Sequence, residues 1–256
     1  MIPAVALGLI VGIALGLIGG GGSIIAVPAL VYGVGMEPGD AIPTSLLVVG
    51  LSSLAAVLPR FRNGVNWRIA LIVGAAGVPA AWAGTALGRL LDPNVLMLGF
   101  SALMIAVGIR MLQNTAESSG PCSPKGGSAW KPCILRALAV GILVGVLTGL
   151  LGVGGGFLII PALTLLLGIP MRQAVGTSLV IIVINSTAGL WAHASSFTID
   201  WSIVLAFSGA AVTGSFAASR LSHRLNDRVV NIVFAVVIFI VAAGVAIGAI
   251  IDLSRA

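Results

Sequence analysis

The sequence predicts an all-α polytopic membrane protein. It reads as two inverted-topology repeats of about five helical segments each, the first pair in each half short and glycine-broken. Three observations predict this. The 256 residues are 59% hydrophobic and only 8% charged, with a mean hydropathy of +1.18, whereas a soluble domain carries about 25% charged residues. Stretches free of Asp, Glu, Lys and Arg cover 1–36, 41–59, 69–88, 93–109, 137–171, 173–199, 201–219 and 229–251. Each is about as long as a bilayer-spanning helix, or longer. Finally, residues 16–30, GLIGGGGSIIAVPAL, return at 149–163 as GLLGVGGGFLIIPAL, with 8 of 15 positions identical. A barrel is excluded, because its strands alternate apolar and polar residues over about ten positions.

The repeat sets the order of elements. Gly8 aligns with Gly141, Pro28 with Pro161, and Thr44-Ser45 with Thr177-Ser178, all at an offset of 133. Past one inserted residue, Trp67 falls on Trp201 and Val78 on Val212. The expected segments are 3–18, 23–34, 40–59, 67–90 and 93–112, then 137–151, 156–168, 173–193, 201–222 and 228–250. The chain divides into a first transmembrane repeat (1–112), a polar linker (113–133) and a second transmembrane repeat (134–256). The linker, QNTAESSGPCSPKGGSAWKPC, is rich in Ser, Gly, Pro and Lys, a loop composition. The apolar start lacks a basic leader region and a cleavage site, and its repeat partner lies mid-chain, so it is expected to belong to the fold.

Positive charge orients the halves. The loop after the third segment carries Arg60, Arg62 and Arg68, while its counterpart near Ser195–Trp201 has only Asp200. One loop later the bias reverses, with Arg89 and Asp92 against Arg220, Arg224, Arg228 and Asp227. Basic loops face the cytoplasm, so the halves should lie in opposite senses, with the linker (Lys125, Lys131, Arg136) cytoplasmic and both termini outside. The net charge of +6 is then topological, and no nucleic-acid partner is expected. Parity demands an odd number of net crossings per half. It allows the first two segments either to cross or to fold back as a hairpin. Cys122 and Cys133 in a cytoplasmic linker should be reduced thiols.

The glycine clusters carry the functional expectation. Paired, Gly/Pro-interrupted segments at matching positions of two repeats point to a transporter's midplane site, because non-helical backbone at membrane depth survives only where protein or a polar cavity satisfies it. Gly19, Gly20, Gly21 and Gly22, and Gly152, Gly154, Gly155 and Gly156, should end one helix and start another at Ser23 or Gly156. A helix start offers unpaired N–H groups and partial positive charge to an anion. Thr44, Ser45, Thr177 and Ser178 open the third segments, as caps or as hydroxyl donors, and Asn185 lies two turns deeper, as a site residue or an interhelical bond. Glycines spaced by four (Gly8, Gly12, Gly16; Gly141, Gly145, Gly149) read as packing surfaces. His193, near a helix end, reads as interfacial. The seven carboxylates sit at segment ends or in loops, which argues against a proton relay or a cation carrier and favours an anionic substrate. No metal site or cofactor is expected. The absence of a Gly-Lys-Ser/Thr phosphate loop argues against ATP-driven transport by this chain.

The two glycine repeats, each followed by a Thr-Ser pair (Thr44-Ser45, Thr177-Ser178), resemble the sulfite exporter TauE/SafE (TSUP) family of membrane permeases across nearly the whole chain outside the linker. The resemblance implies a bacterial or archaeal inner-membrane transporter, often an exporter, of small anions such as sulfite or organosulfonates. It also implies that the two glycine clusters and Thr-Ser pairs line the substrate path. The halves differ at Val153 and at Gly156, which oppose Gly20 and Ser23. An anion channel with a backbone-lined filter is the alternative. An enzyme would need a nucleophile, metal ligands or a carboxylate within the membrane, and only His193 offers itself.

Overall fold

The computed structural model describes residues 2–20, 22–36, 38–61, 64–88, 90, 93–113, 122, 130–151, 156–193, 201–222 and 227–255, which contain helices and no strand. The first half runs α1 (Ile2–Ile18), α2 (Gly22–Pro28), α3 (Pro38–Val57), α4 (Trp67–Gly88) and α5 (Pro93–Gln113). The second runs α6 (Trp130–Leu151), α7 (Gly156–Pro161), α8 (Met171–His193), α9 (Trp201–Ser222) and α10 (Asp227–Arg255). Five stretches are long and apolar enough to cross a membrane: Pro43–Arg60, Trp67–Leu87, Pro132–Leu150, Met171–Trp191 and Trp201–Leu221.

The short helices repeat one design. Each passes at its proline into a π turn, Ala29–Val34 after Pro28 and Ala162–Leu166 after Pro161. Proline lacks an N–H and crowds the carbonyl four residues back, and a shift to the wider winding relieves both problems. Each turn then ends on a left-handed glycine, Gly35 at φ 82° and Gly168 at φ 69°. Met36 N–H donates to Leu30 O at 3.0 Å, and Ile169 N–H to Leu163 O at 3.1 Å. The sequence left two crossings or a hairpin for the first two segments. α2 turns back along α1, with Gly22 against Leu15 and Val11 and Gly33 against Leu7.

Packing is reciprocal between the halves: α1 lies on α9 and α6 on α4, while α3 meets α8, α5 meets α10 and α2 meets α7. The seams match residue for residue. Gly8, Gly12 and Gly16 sit on the carbonyls of Phe207, Ala211 and Ser215, and Gly141, Gly145 and Gly149 on those of Val73, Gly77 and Ala81. Small residues let these backbones touch, which is the packing role expected of the spaced glycines. Both seams run parallel, whereas α3 and α8 run antiparallel, Gly50 facing Ser186 and Gly189 facing Leu46. α3 and α8 form the centre: 56% of each span is buried, against 33% for α4 and α6.

Buried serines tie α9 to α3, since Ser215 Oγ donates to Ser52 O at 2.9 Å and Ser219 Oγ to Ala56 O at 2.8 Å. Ser215→Ala should lower stability by about 0.6 kcal/mol, the typical value of a hydrogen bond between membrane helices. Unfolding titrations in detergent check this.

Three expectations are corrected. α6 begins at Trp130 rather than at 137, so Trp130–Cys133 belong to a helix and not to the linker. Pro132 sits in the first turn of this helix, where its missing N–H costs nothing. That turn places Cys133 in the core, where it forms a disulfide with Cys122 at a Cα–Cα distance of 5.2 Å, so the cysteines are not the thiols expected. Third, the Thr-Ser pairs do not open their helices, because α3 starts at Pro38 and α8 at Met171, over a turn earlier.

Candidate functional site

The first glycine cluster breaks the chain as expected. α1 closes on Gly19, whose N–H donates to Leu15 O at 2.8 Å and whose φ of 86° suits glycine. Ser23 then fixes the first turn of α2. Its N–H and its Oγ both donate to Gly20 O, at 3.3 and 2.7 Å. One carbonyl freed by the break is thereby satisfied twice. Gly21, Gly152, Gly154 and Gly155 lie outside the described residues.

The break is assembled from both halves. A Cβ on Gly20 would fall on the carbonyl oxygen of Gly156, the first residue of α7, and a Cβ on Gly156 would lie 2.6 Å from Ser23 Oγ. Gly19 faces α8, where a Cβ would stand 2.9 Å from Ser178 Oγ. Gly19, Gly20, Ser23, Gly156 and Ser178 therefore form one buried cluster, and Gly22 stands beside it against α1.

The hydroxyls here hold backbone. Ser178 Oγ donates to Val175 O at 2.8 Å, and Thr177 Oγ1 accepts the N–H of Asn66 at 3.0 Å. Asn66 also starts α4, its Oδ1 accepting Ile69 N–H at 3.4 Å. Thr44, the repeat partner of Thr177, is buried and its Oγ1 has no hydrogen-bond partner among the described residues. Ser45 is buried beside it in sequence. Asn185 stands apart from the cluster, its Oδ1 3.8 Å from where a Gly77 Cβ would be and without a partner among the described residues.

Sequence reasoning missed Arg60 as a site residue. It was counted among loop cations, yet it is 5% exposed in a 3-10 turn, Leu58–Arg60, that extends α3. Its Nη2 donates to Gly16 O at 3.2 Å, one turn before Gly19. The only signal in the sequence was its alignment with another basic residue, His193.

A bundle of long apolar helices, with short broken helices from both halves meeting in its core, defines a multi-pass membrane transporter. The comparisons make this specific. Residues 4–245 match the family described as Sulfite exporter TauE/SafE, and the chain belongs to that family. It is 35% identical over 246 residues to a "Probable membrane transporter protein" of Xylella fastidiosa, covering 94% of this chain and 93% of the relative. It is 28% identical over 256 residues to the "Probable membrane transporter protein YunE" of Bacillus subtilis, covering 93% and 94%. A "Probable membrane transporter protein" of the archaeon Methanocaldococcus jannaschii is 26% identical over 234 residues, covering 87% and 85%.

Proposed function

We propose that this chain is a secondary transporter, in the exporting direction, of small sulfur-containing anions such as sulfite or organosulfonates, and that it is not an enzyme. The substrate occupies the junction of the two glycine breaks and the Thr-Ser pairs, near the middle of the bilayer. The carrying observation is the buried contact of Gly19 and Gly20 with Ser178 and Gly156, elements from opposite halves. A site shared between halves changes shape when one half rocks against the other, which is alternating access. The reciprocal seams and the antiparallel α3–α8 pair support the inverted reading. The family's description supports the sulfur class.

In this reading α1–α2 and α6–α7 are hairpins entering from opposite faces of an inner membrane. The linker lies in the cytoplasm and both termini outside. The disulfide alone favours the opposite compartment, but the arginine bias recurs in several loops and outweighs a single bond.

Proteoliposomes loaded with unlabelled sulfite should take up labelled sulfite by counterflow, with saturating rates. Uptake that never saturates and shows no counterflow would replace the carrier by the channel. The first break, whose Gly20 carbonyl is bonded by Ser23, favours the carrier, because a filter needs its backbone groups turned towards the ion.

A further inference from the structure

We infer that Arg60 is the positioning residue that joins the first half's glycine break to the second half's Thr-Ser pair, and that its charge sets the site's preference for doubly charged anions. The inference rests on the proposed anion site and names a residue which that reading does not use.

The contacts form a closed ring. Arg60 Nη2 donates to Gly16 O at the end of α1. Three residues on, Gly19 packs on Ser178. In the other direction, Gly64 N–H donates to Arg60 O at 2.8 Å, and the Gly64 carbonyl occupies the space a Gly176 side chain would need. Asn66 N–H then bonds Thr177 Oγ1 at 3.0 Å, and Thr177 adjoins Ser178. A shift at either end of the ring is felt at the other.

A guanidinium left only 5% exposed inside the protein is costly to bury, and its retention there points to function. The bond from Arg60 Nη2 to Gly16 O does not by itself require a full charge. The second half shows this, because the equivalent carbonyl, Gly149 O, accepts the neutral Thr85 Oγ1 at 3.3 Å. Arg60 thus adds to the first break a positive charge where the second has a hydroxyl. In a low-dielectric interior that charge acts over several ångströms and acts twice as strongly on a dianion as on a monoanion.

The test compares sulfate, a dianion, with methanesulfonate, a monoanion of similar shape, by binding to purified protein. Arg60→Gln should weaken sulfate about tenfold and methanesulfonate less than about threefold, with Arg60→Lys keeping most of the difference. Gly176→Ala, whose new methyl would fall on the Gly64 carbonyl, breaks the ring without touching the charge. It should slow transport but leave the ratio of the two affinities unchanged. A second readout needs no substrate. Ser178→Cys, in a Cys122→Ser/Cys133→Ser background, should react faster with an anionic than with a cationic thiosulfonate, and Arg60→Gln should erase that bias. Equal weakening of both anions in Arg60→Gln, or an unchanged reagent bias, overturns the inference. If the wild type binds neither anion, the proposed function falls and the reagent bias decides Arg60 alone; if the cysteine is inert, the affinity ratio decides.

Discussion

Gly20→Ala should reduce sulfite flux about a hundredfold in proteoliposomes, the scale of loss that a misplacement of one ångström causes at a working site. The reason is contact rather than backbone conformation. The new methyl would fall on the carbonyl oxygen of Gly156. A carbonyl is part of the main chain and cannot swing away as a side-chain tip does. α7 must move, and the contact between the two breaks opens. Gly209→Ala is the matched control: its Cβ meets nothing within 4 Å, and alanine improves an exposed helix by about 0.5–1 kcal/mol. The control should insert and transport normally. Wild-type flux in Gly20→Ala would mean that the junction of the breaks is not on the substrate path.

The second large effect is on assembly. Gly145→Leu and Gly12→Leu should each cost at least about 3 kcal/mol, the upper range for forcing volume into a packed core. At Gly12 the added atom would fall on Ala211, 2.7 Å from its Cα, and at Gly145 on Gly77, 2.9 Å from its Cα. Both partners are backbone in a neighbouring helix of the other half, so the seam must part along its length. Membrane yield and thermal unfolding in detergent measure this. Similar losses in the two variants are expected, because α1–α9 and α6–α4 repeat one register. A large loss in one and none in the other would break the equivalence of the seams.

Much of the fold was legible because membrane burial is written locally. Each long helix is built around a long apolar stretch, and the bilayer allows few other ways to satisfy its backbone. The breaks were legible for the same reason. Glycine clusters act on the residues beside them, so Gly19 announces the end of α1 without knowledge of any neighbour, whereas the π turn after Pro28 came only from the structure. Arg60 shows the limit. In the sequence it stands beside Arg62 in a charged loop, and its burial depends on α1 ending against the end of α3. The pairing of Cys122 with Cys133 depends in the same way on how early α6 begins.

The amino-acid order by itself determined the helical membrane class, the duplication, the positions of both interruptions and the membership suggested by the paired motifs. Only the tertiary structure decided that α2 doubles back on α1, that Gly20 touches Gly156, and that the Thr-Ser pairs lie inside helices and not at their starts. The division has a physical cause. Hydropathy and glycine or proline strain are properties of a few consecutive residues. Contacts such as Asn66 to Thr177, 111 residues apart, exist only once two halves of the chain have closed on each other.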